Sequence, residues 1–216
     1  MAGRFITFEG GEGAGKSTQV RLLADHLRRA GRTVVITREP GGSPFAERIR
    51  DVLFERGQPQ GSPLAEALLF SAARADHLTR LIRPALARGD WVISDRFMDS
   101  TRAYQGAGGA VAATDIDALE AVVVGPTRPD LTLILDLEPR VGLERARLRQ
   151  ATLQPQLTDR DPFEARELAF HERLRHGFLG IAAREPQRCA VIDGSLPVEA
   201  IATAVGAVLA GRFGVA

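Results

Sequence analysis

Cysteine, lysine, tyrosine and tryptophan each occur only once among the 216 residues, and asparagine does not occur at all. The single cysteine, Cys189, excludes a framework of disulfides within the chain and is typical of a protein from a reducing compartment. Because Cys189 lies beside a short apolar run, we expect a buried structural thiol and not a nucleophile. The sequence also lacks an apolar stretch of membrane-spanning length and the apolar core of a signal peptide, so we expect a cytoplasmic protein.

An excess of charge of one sign is also missing. The 28 basic and 27 acidic residues leave a net charge of +1, which gives no general electrostatic reason to expect binding to nucleic acid or to a membrane. The content of hydrophobic residues, 44%, and of charged residues, 25%, is ordinary for a soluble globular protein. A chain of 216 residues can bury a large core, and we expect one domain over residues 1–216.

Lysine is so scarce that the position of the one lysine is informative. A drift away from AT-rich codons explains the shortage of Lys, Asn and Tyr but not why Lys16 remains within Gly10-Gly-Glu-Gly-Ala-Gly-Lys-Ser17. This octapeptide fits G-x-x-x-x-G-K-[ST], in which backbone N–H groups surround nucleotide phosphates and the lysine reaches the β- and γ-phosphates. The serine hydroxyl of such a loop binds Mg²⁺. The candidate nucleotide-binding residues are Gly10, Gly11, Glu12, Gly13, Ala14, Gly15, Lys16, Ser17 and Thr18.

The chain alternates between short strand-like runs and longer amphipathic runs. The strand-like runs cover residues 5–8, 33–37, 91–94, 131–135 and 190–192. Helices are predicted at 17–30, 44–55, 63–88, 114–124, 140–150, 162–184 and 198–212, with Ser-Pro pairs at the starts of the second and third. This alternation predicts an α/β fold with a parallel sheet covered on both faces, and such sheets bind ligands at the carboxyl ends of their strands.

Acidic and basic residues follow the strand-like runs at those carboxyl ends. Asp95 and Arg96 follow the third run, and we predict Asp95 near Mg²⁺ and Arg96 on a phosphate. Asp136, after the fourth run, is a competing candidate for the metal. We prefer Asp95 because the adjacent arginine favours a phosphate site there. A simple surface pair of Asp95 and Arg96 is the less favoured interpretation.

Three further residues suit a second, nucleotide-like substrate. Arg38 follows the second run, and the turn formed by the next proline and two glycines directs it towards the cleft, unless it is an ordinary surface arginine. Phe70 and Arg74 lie four residues apart and share one helix face. A ring for stacking and a guanidinium for hydrogen bonding suit a nucleobase, although a core Phe beside a surface Arg is the commoner arrangement.

Glu12 and the group Ser100, Tyr104 and Gln105 allow two interpretations each. A carboxylate within an anion-binding loop repels phosphate, so Glu12 either points into solvent or turns towards a substrate hydroxyl or a metal. Tyr104 is the one tyrosine and lies with Ser100 and Gln105 soon after the third strand, where all three can line a substrate pocket. The alternative is a half-buried tyrosine with its hydroxyl in water.

The least regular segment, residues 151–161, is a candidate mobile lid, which we place at about residues 147–163. Phosphoryl transfer needs cations around the migrating group, and the phosphate loop contains no arginine. A catalytic arginine must then come from elsewhere, and the candidates in or near the lid are Arg145, Arg147, Arg149 and Arg160.

These motifs together resemble the bacterial thymidylate kinases (dTMP kinases) of the P-loop nucleoside-monophosphate kinase superfamily. The resemblance extends from residue 5 to about residue 197. It rests on FEGGEGAGKST (8–18), TREPGG (37–42), LLFSAAR (68–74), WVISDRF (91–97), STRAYQG (100–106), RPDLTLILDL (128–137) and DRDPFEARELAFHERLR (159–175). It implies a three-layer fold around a five-stranded parallel sheet, a homodimer, and transfer of the γ-phosphoryl group of ATP to dTMP with Mg²⁺.

The resemblance also implies a role for each matched residue. Lys16, Arg96, Arg149 and Glu12 take the catalytic positions, and Ser17 and Asp95 take those at the metal. Phe70 stacks on thymine, Arg74 bonds its edge, Arg38 and Arg96 hold the acceptor phosphate, and Tyr104 disfavours a 2′-hydroxyl. The substrate-binding positions together are Arg38, Phe70, Arg74, Arg96, Ser100, Tyr104 and Gln105.

The chain departs from the family pattern in the lid. Residues 150–157 are additional, and Asp161-Pro162 interrupts the usual run, so that the lid arginine is one of Arg147, Arg149 and Arg160. Two other functions stay open on the sequence: a kinase for another monophosphate or a deoxynucleoside, and a P-loop switch without an acceptor pocket. The switch does not explain Phe70 and Arg74 together with the cluster after the third strand.

Overall fold

The computed structural model of the chain describes residues 3–55, 61–153 and 162–215. In these ranges five strands form one parallel sheet: β1 (Arg4–Gly10), β2 (Val34–Arg38), β3 (Trp91–Asp95), β4 (Leu131–Asp136) and β5 (Cys189–Asp193). Their order is β2-β3-β1-β4-β5, so β1 lies at the centre. The predicted parallel α/β sheet is confirmed, and each strand differs from its predicted bounds by no more than two residues.

Helices cover both faces of the sheet. Their bounds are α1 (Lys16–Arg29), α2 (Pro44–Phe54), α3 (Pro63–His77), α4 (Arg83–Ala87), α5 (Met98–Thr101), α6 (Ala113–Val123), α7 (Pro139–Leu153), α8 (Leu168–Arg184) and α9 (Val198–Phe213). Wider π-helical turns follow α3 at Leu78–Ile82 and α5 at Arg102–Gly108. The two Ser-Pro starts are confirmed, because Ser43 Oγ accepts the Ala46 N–H at 3.4 Å and Ser62 Oγ accepts the Ala65 N–H at 3.3 Å.

The core is divided by the sheet into layers. Ile6 of β1 packs into a cluster with α1 and α9, whereas the preceding Phe5 packs into a cluster with the segment from α3 to α4. Ile93 and Val92 of β3 alternate between the same two clusters. Successive strand residues point to opposite faces, so this alternation is what a sheet buried on both sides requires. Full burial of each such side chain contributes about 1.5–3 kcal/mol.

Cys189 lies at the start of β5 and is 5% exposed, as expected for a structural thiol. Burial, the largest contribution, raises the pKa of this thiol to about 11, so that the reactive thiolate is scarce near neutral pH. Within the described ranges, no helix is long and apolar enough to cross a bilayer.

Two predicted helix boundaries are wrong. The last long helix before β5 begins at Leu168 and not at residue 162, and α7 continues to Leu153 instead of ending at residue 150. Residues 162–167 form turns because their side chains have partners elsewhere: Phe163 packs against Phe54 and Phe70, and Arg166 pairs with Glu66. These tertiary contacts outweigh local helix propensity. Of the predicted lid, residues 147–153 belong to α7, and residues 154–161, with Arg160, lie outside the described residues.

Candidate active site

A cavity of about 390 Å³ opens at the carboxyl ends of β1, β2 and β3, which is where parallel sheets bind ligands. Most of the predicted site residues line it. They are Glu12, Gly13, Ala14, Gly15, Lys16, Ser17, Thr18, Arg38, Phe70, Arg74, Asp95, Arg96, Ser100, Tyr104, Gln105 and Arg149. Gly10 and Gly11 line a small space on the other side of the phosphate loop.

The phosphate loop joins β1 to α1 and holds Lys16 at the entrance of the helix. Gly15, immediately before α1, has a φ of 91°, a left-handed conformation that a side chain disfavours. Lys16 is 7% exposed, and its ammonium group donates to the carbonyl oxygens of Gly10 at 3.1 Å and Gly11 at 2.8 Å. Burial, the larger cause, and repulsion by Arg96 lower the pKa of Lys16 to about 8. A pocket of N–H groups, a helix N-terminus and an ammonium group favours bound phosphate.

The first turn of α7 packs directly on the phosphate loop. A Cβ atom on Gly13, which has a φ of 66°, would lie 2.0 Å from the carbonyl oxygen of Gly142. A Cβ atom on Gly142 would in turn lie 2.2 Å from the carbonyl oxygen of Glu12. Only glycine at both positions permits this approach. The N-terminal turn of α7 is thus anchored against the phosphate loop. Arg145, Arg147 and Arg149 lie further along the same helix.

Ser17 and Asp95 form the oxygen pair that the metal prediction named. The Ser17 hydroxyl donates to Asp95 Oδ2 at 2.5 Å, because Asp95 is in register with Phe8 just before the loop. The competing candidate, Asp136, accepts two hydrogen bonds from Arg175 at 2.7 and 2.8 Å and does not line the cavity. A hydroxyl and a carboxylate are hard oxygen donors of the kind Mg²⁺ prefers. No cluster of three or more His, Cys, Asp or Glu suited to a metal occurs in the described parts of the chain.

Glu12 turns inward and does not point into solvent. Its Oε1 accepts a hydrogen bond from Arg96 Nη2 at 2.8 Å and another from the Tyr104 hydroxyl. The Arg96 guanidinium also lies 4.9 Å from the centre of the Tyr104 ring. Burial opposes ionisation of Glu12, but Arg96, Lys16 and the Tyr104 hydroxyl outweigh it and lower the pKa of Glu12 to about 2. Glu12 therefore neutralises part of the positive charge around the loop.

Arg96 is held in an unusual backbone conformation. Its φ is 71°, which is rare for a residue with a side chain and is enriched at functional sites. The Arg96 N–H donates to Phe8 O at 2.9 Å, and its side chain donates to Gly10 O at 3.1 Å and Ser100 Oγ at 3.2 Å. This one side chain therefore links the phosphate loop to the segment that carries Ser100 and Tyr104.

Glu9 supports that segment and was missed by the sequence reasoning. It is fully buried in β1 and accepts the N–H of Phe97 at 2.8 Å, the N–H of Ser100 at 3.2 Å and the Ser100 hydroxyl at 2.6 Å. Burial and the nearby Asp99 raise the pKa of Glu9 to about 7. The sequence did contain a signal for Glu9, because an acidic residue near the end of an apolar strand indicates a buried carboxylate with specific partners.

The wall opposite the loop combines aromatic rings with a buried arginine. Phe70 lines the cavity and lies 5.9 Å, centre to centre, from Phe163. Arg74 is 2% exposed and donates to Glu39 Oε2 at 2.7 Å and, through Nη2, to Phe97 O and Thr101 Oγ1 at 3.1 Å each. Arg74 is therefore not a surface residue, and Phe70 is partly buried against the core while it also lines the cavity. The sequence did not predict Glu39 as the partner, because the two residues lie 35 positions apart.

Further arginines surround the mouth of the cavity. Arg38 is 55% exposed and pairs with Glu47 at 2.9 Å, and Arg149 on α7 pairs with Glu164 at 3.3 Å. Arg147 pairs with Glu144 on another face of α7 and does not line this cavity. Sequence reasoning did not select Arg21, Arg50, Phe54, Thr101 and Phe163, which also line the cavity.

The central strand, the glycine loop and the helix that follows it place the chain among the P-loop nucleotide-binding α/β proteins, with space beside the loop for a second molecule. A family model described as thymidylate kinase matches residues 8–205. The chain belongs to the thymidylate kinase family.

Individual relatives agree with this assignment. The thymidylate kinase of Caulobacter vibrioides is 56% identical over 212 residues, which cover 98% of both chains. That of Rhodopseudomonas palustris strain BisB18 is 52% identical over 212 residues, covering 98% of this chain and 90% of the relative. The crystal structure of thymidylate kinase from Ehrlichia chaffeensis superimposes with a TM-score of 0.76 at 35% identity and covers 97% of this chain and 99% of that chain.

Proposed function

We propose that the protein transfers the γ-phosphoryl group of ATP to dTMP, which gives dTDP and ADP for dTTP synthesis. The observation that carries the proposal is one cavity whose wall combines two sets of residues: the phosphate loop with Lys16, and the side chains of Phe70, Arg74 and Tyr104. The first set suits the phosphates of the donor, and the second suits a base and a sugar. Membership of the thymidylate kinase family supports thymine as that base.

At the donor end, we assign ATP phosphates to the backbone N–H groups of the loop and to Lys16. Ser17 and Asp95, whose side-chain oxygens lie 2.5 Å apart, are the residues that would hold Mg²⁺. When bound, the ion supplies positive charge to the phosphate oxygens and orients them for transfer. The first turn of α1 directs its N–H groups and the positive end of the helix dipole towards the position that we assign to the ATP phosphates.

At the acceptor end, we assign the dTMP phosphate to Arg38 and Arg96 and the base to Phe70, Arg74 and Gln105. Stacking on Phe70 and donation from Arg74 suit a thymine with its O4 carbonyl towards the arginine. Tyr104, fixed by its bond to Glu12, occupies the space near the sugar and would disfavour a 2′-hydroxyl. Ser100, held by Glu9 and Arg96, completes this wall.

In the transfer step, an oxygen of the dTMP phosphate attacks the γ-phosphorus in line, and the bond from that phosphorus to the β,γ-bridging oxygen breaks to release ADP. The attacking phosphate is already anionic at neutral pH, so the step requires no strong base. The protein contributes position and charge: Lys16, Arg96 and a lid arginine neutralise the oxygens of the migrating group.

Of the two lid arginines within the described residues, Arg149 is the better placed for this role, since it lines the cavity whereas Arg147 does not. We expect Arg149→Ala to lower kcat by about 10³-fold, the effect of removing an arginine finger. Arg147→Ala is the matched control on the same helix, and its pair with Glu144 is exposed to solvent, so little of the protein's stability depends on it. Single-turnover rates for both variants check this, and equal small losses would mean that the catalytic arginine lies elsewhere.

We also infer that the 216 residues form one kinase domain that acts as a cytoplasmic homodimer. The inference of a dimer is supported by exposed apolar side chains on three adjoining helices, namely Phe45 and Val52 of α2, Leu64 and Leu68 of α3, and Val122 of α6. A monomer mass in sedimentation equilibrium at micromolar concentration would exclude the dimer. The buried single thiol supports a reducing compartment, and cell fractionation would test the location.

Steady-state rates with dTMP, dUMP, dCMP, dGMP and a deoxynucleoside test the proposal. We expect the highest kcat/KM with dTMP. A higher value for another monophosphate or for the deoxynucleoside would assign a different acceptor. Tight ATP binding without phosphorylation of any of them would favour a P-loop switch.

A further inference from the structure

Glu66 is a buried carboxylate that joins three separate parts of the chain near the cavity. It lies in the first turn of α3 and is 3% exposed. Its Oε2 accepts a hydrogen bond from Gln105 Nε2 at 2.9 Å, and its Oε1 accepts one from Arg166 Nη2 at 2.5 Å. Glu66 itself does not line the cavity, whereas Gln105 does. The burial of a carboxylate costs free energy, so we ask what the contact between Glu66 and Gln105 contributes to the cavity.

The contact determines which way the Gln105 amide faces. An ionised carboxylate only accepts hydrogen bonds, so the NH₂ group of Gln105 must be the group that points at Glu66. The carbonyl oxygen of the amide, Oε1, is then the atom left for the cavity, and it has no hydrogen-bond partner among the described residues. Gln105 is 1% exposed, which restricts rearrangement of its side chain.

Arg74 supplies the opposite type of group to the same cavity. Its Nε and Nη2 are engaged by Glu39, Phe97 and Thr101, and its Nη1, a donor only, has no partner within the described ranges. One fixed donor and one fixed acceptor match a base with a carbonyl beside a ring N–H, as in thymine and uracil. Cytosine presents an amino group and an unprotonated ring nitrogen at these positions and is mismatched at both.

We propose that Glu66 is a positioning residue that sets base selectivity: it holds the Gln105 amide with Oε1 towards the ring N–H of the acceptor base. This inference rests on the proposed function, because it takes a pyrimidine monophosphate as the acceptor. Arg166 is the second part of the device, since its guanidinium fixes the other carboxylate oxygen and is itself packed over Phe163 and Phe170.

The variant Glu66→Gln tests the proposal with almost no change in volume. Arg166 can only donate, so it holds the new amide by its oxygen and turns the new NH₂ group towards Gln105. Gln105 must then present its oxygen to residue 66 and its own NH₂ group to the base. We expect the ratio of kcat/KM for dTMP to that for dCMP to fall about tenfold or more, because a buried donor now faces the N–H of thymine.

Two controls separate positioning from a structural role. The ratio of dTMP to dUMP must stay within about twofold, because both bases have the same carbonyl and ring N–H and differ only in a methyl group. Glu120→Gln is the matched variant: Glu120 is 4% exposed and bound by Arg102 but does not line the cavity. Glu120→Gln should lower the thermal stability and leave the dTMP to dCMP ratio of the wild type unchanged.

A double-mutant cycle with Gln105→Leu shows whether Glu66 acts through Gln105. We expect Glu66→Gln to change the dTMP to dCMP ratio in the wild type but by less than about twofold in the Gln105→Leu background. An unchanged ratio in Glu66→Gln alone, or equal changes in both backgrounds, would overturn the role of Glu66 and leave the proposed function standing. A wild-type protein that does not phosphorylate dTMP would overturn both.

Discussion

Replacement of Lys16 by alanine is expected to lower kcat for dTDP formation by about 10³-fold or more while the chain stays folded. Lys16 supplies the ammonium group of the phosphate loop and lies at the N-terminus of α1, where we assign the donor phosphates. Folding should survive the change because Gly10 O, one of the two carbonyls that Lys16 binds, also accepts a hydrogen bond from Arg96. Steady-state kinetics and a thermal melt of the same sample check both statements.

A charge-preserving variant and a pH series sharpen this test. We expect Lys16→Arg to fail as well, since a planar guanidinium does not fit the space of a compact ammonium group in this buried loop. The pKa of Lys16 in the free protein is about 8, and the protonated form is the one that binds phosphate. The kcat/KM for ATP should therefore fall as the pH rises through about 8. A Lys16→Ala variant within tenfold of the wild-type kcat would exclude the assigned role of the loop.

Replacement of Arg96 by alanine is expected to lower kcat/KM for dTMP by about 10³-fold or more and to destabilise the protein by about 3–5 kcal/mol. The activity should fall because we assign Arg96 to the acceptor phosphate and because its side chain fixes the segment with Ser100 and Tyr104. The stability should fall because Glu12, 16% exposed, would lose the arginine with which it forms an ion pair. Initial rates and urea unfolding measure the two effects separately.

The double variant Glu12→Gln/Arg96→Ala separates the two effects of Arg96. Removing the charge at residue 12 should recover much of the lost stability, because no unpaired buried carboxylate remains. It should not recover the activity, since the cation that we assign to the acceptor phosphate is still missing. If activity returned together with stability, Arg96 would serve folding alone. The kcat/KM for ATP of each variant is compared with that of the wild type, which represents the intact donor site.

The sheet, the phosphate loop and the proximity of Ser17 to Asp95 could be predicted because local sequence and parallel topology determine them. Glycine spacing fixes the loop, and residues that end neighbouring parallel strands must lie at the same edge, which brings Asp95 to Ser17. The same rule left Asp136 open, because it also ends a strand. Its pairing with Arg175 of α8 depends on helix packing, which the sequence pattern does not encode.

The partners of the buried charges could not be predicted. Glu39 with Arg74, and Glu66 with Gln105 and Arg166, join positions 35 to 100 residues apart. Each pair is fixed by how the helices meet over the sheet and not by a local period. The start of α8 was predicted too early for the same reason, since Phe163 and Arg166 are held by distant aromatic and acidic side chains.

Product analysis with ATP labelled in the γ-phosphate is the most direct test of the central claim, that donor and acceptor phosphates meet in the cavity beside Lys16. With dTMP present, we expect the label in dTDP at a rate matching ADP release, and the Lys16→Ala variant should give none. Label released only as inorganic phosphate, or transferred equally well by Lys16→Ala, would contradict the account.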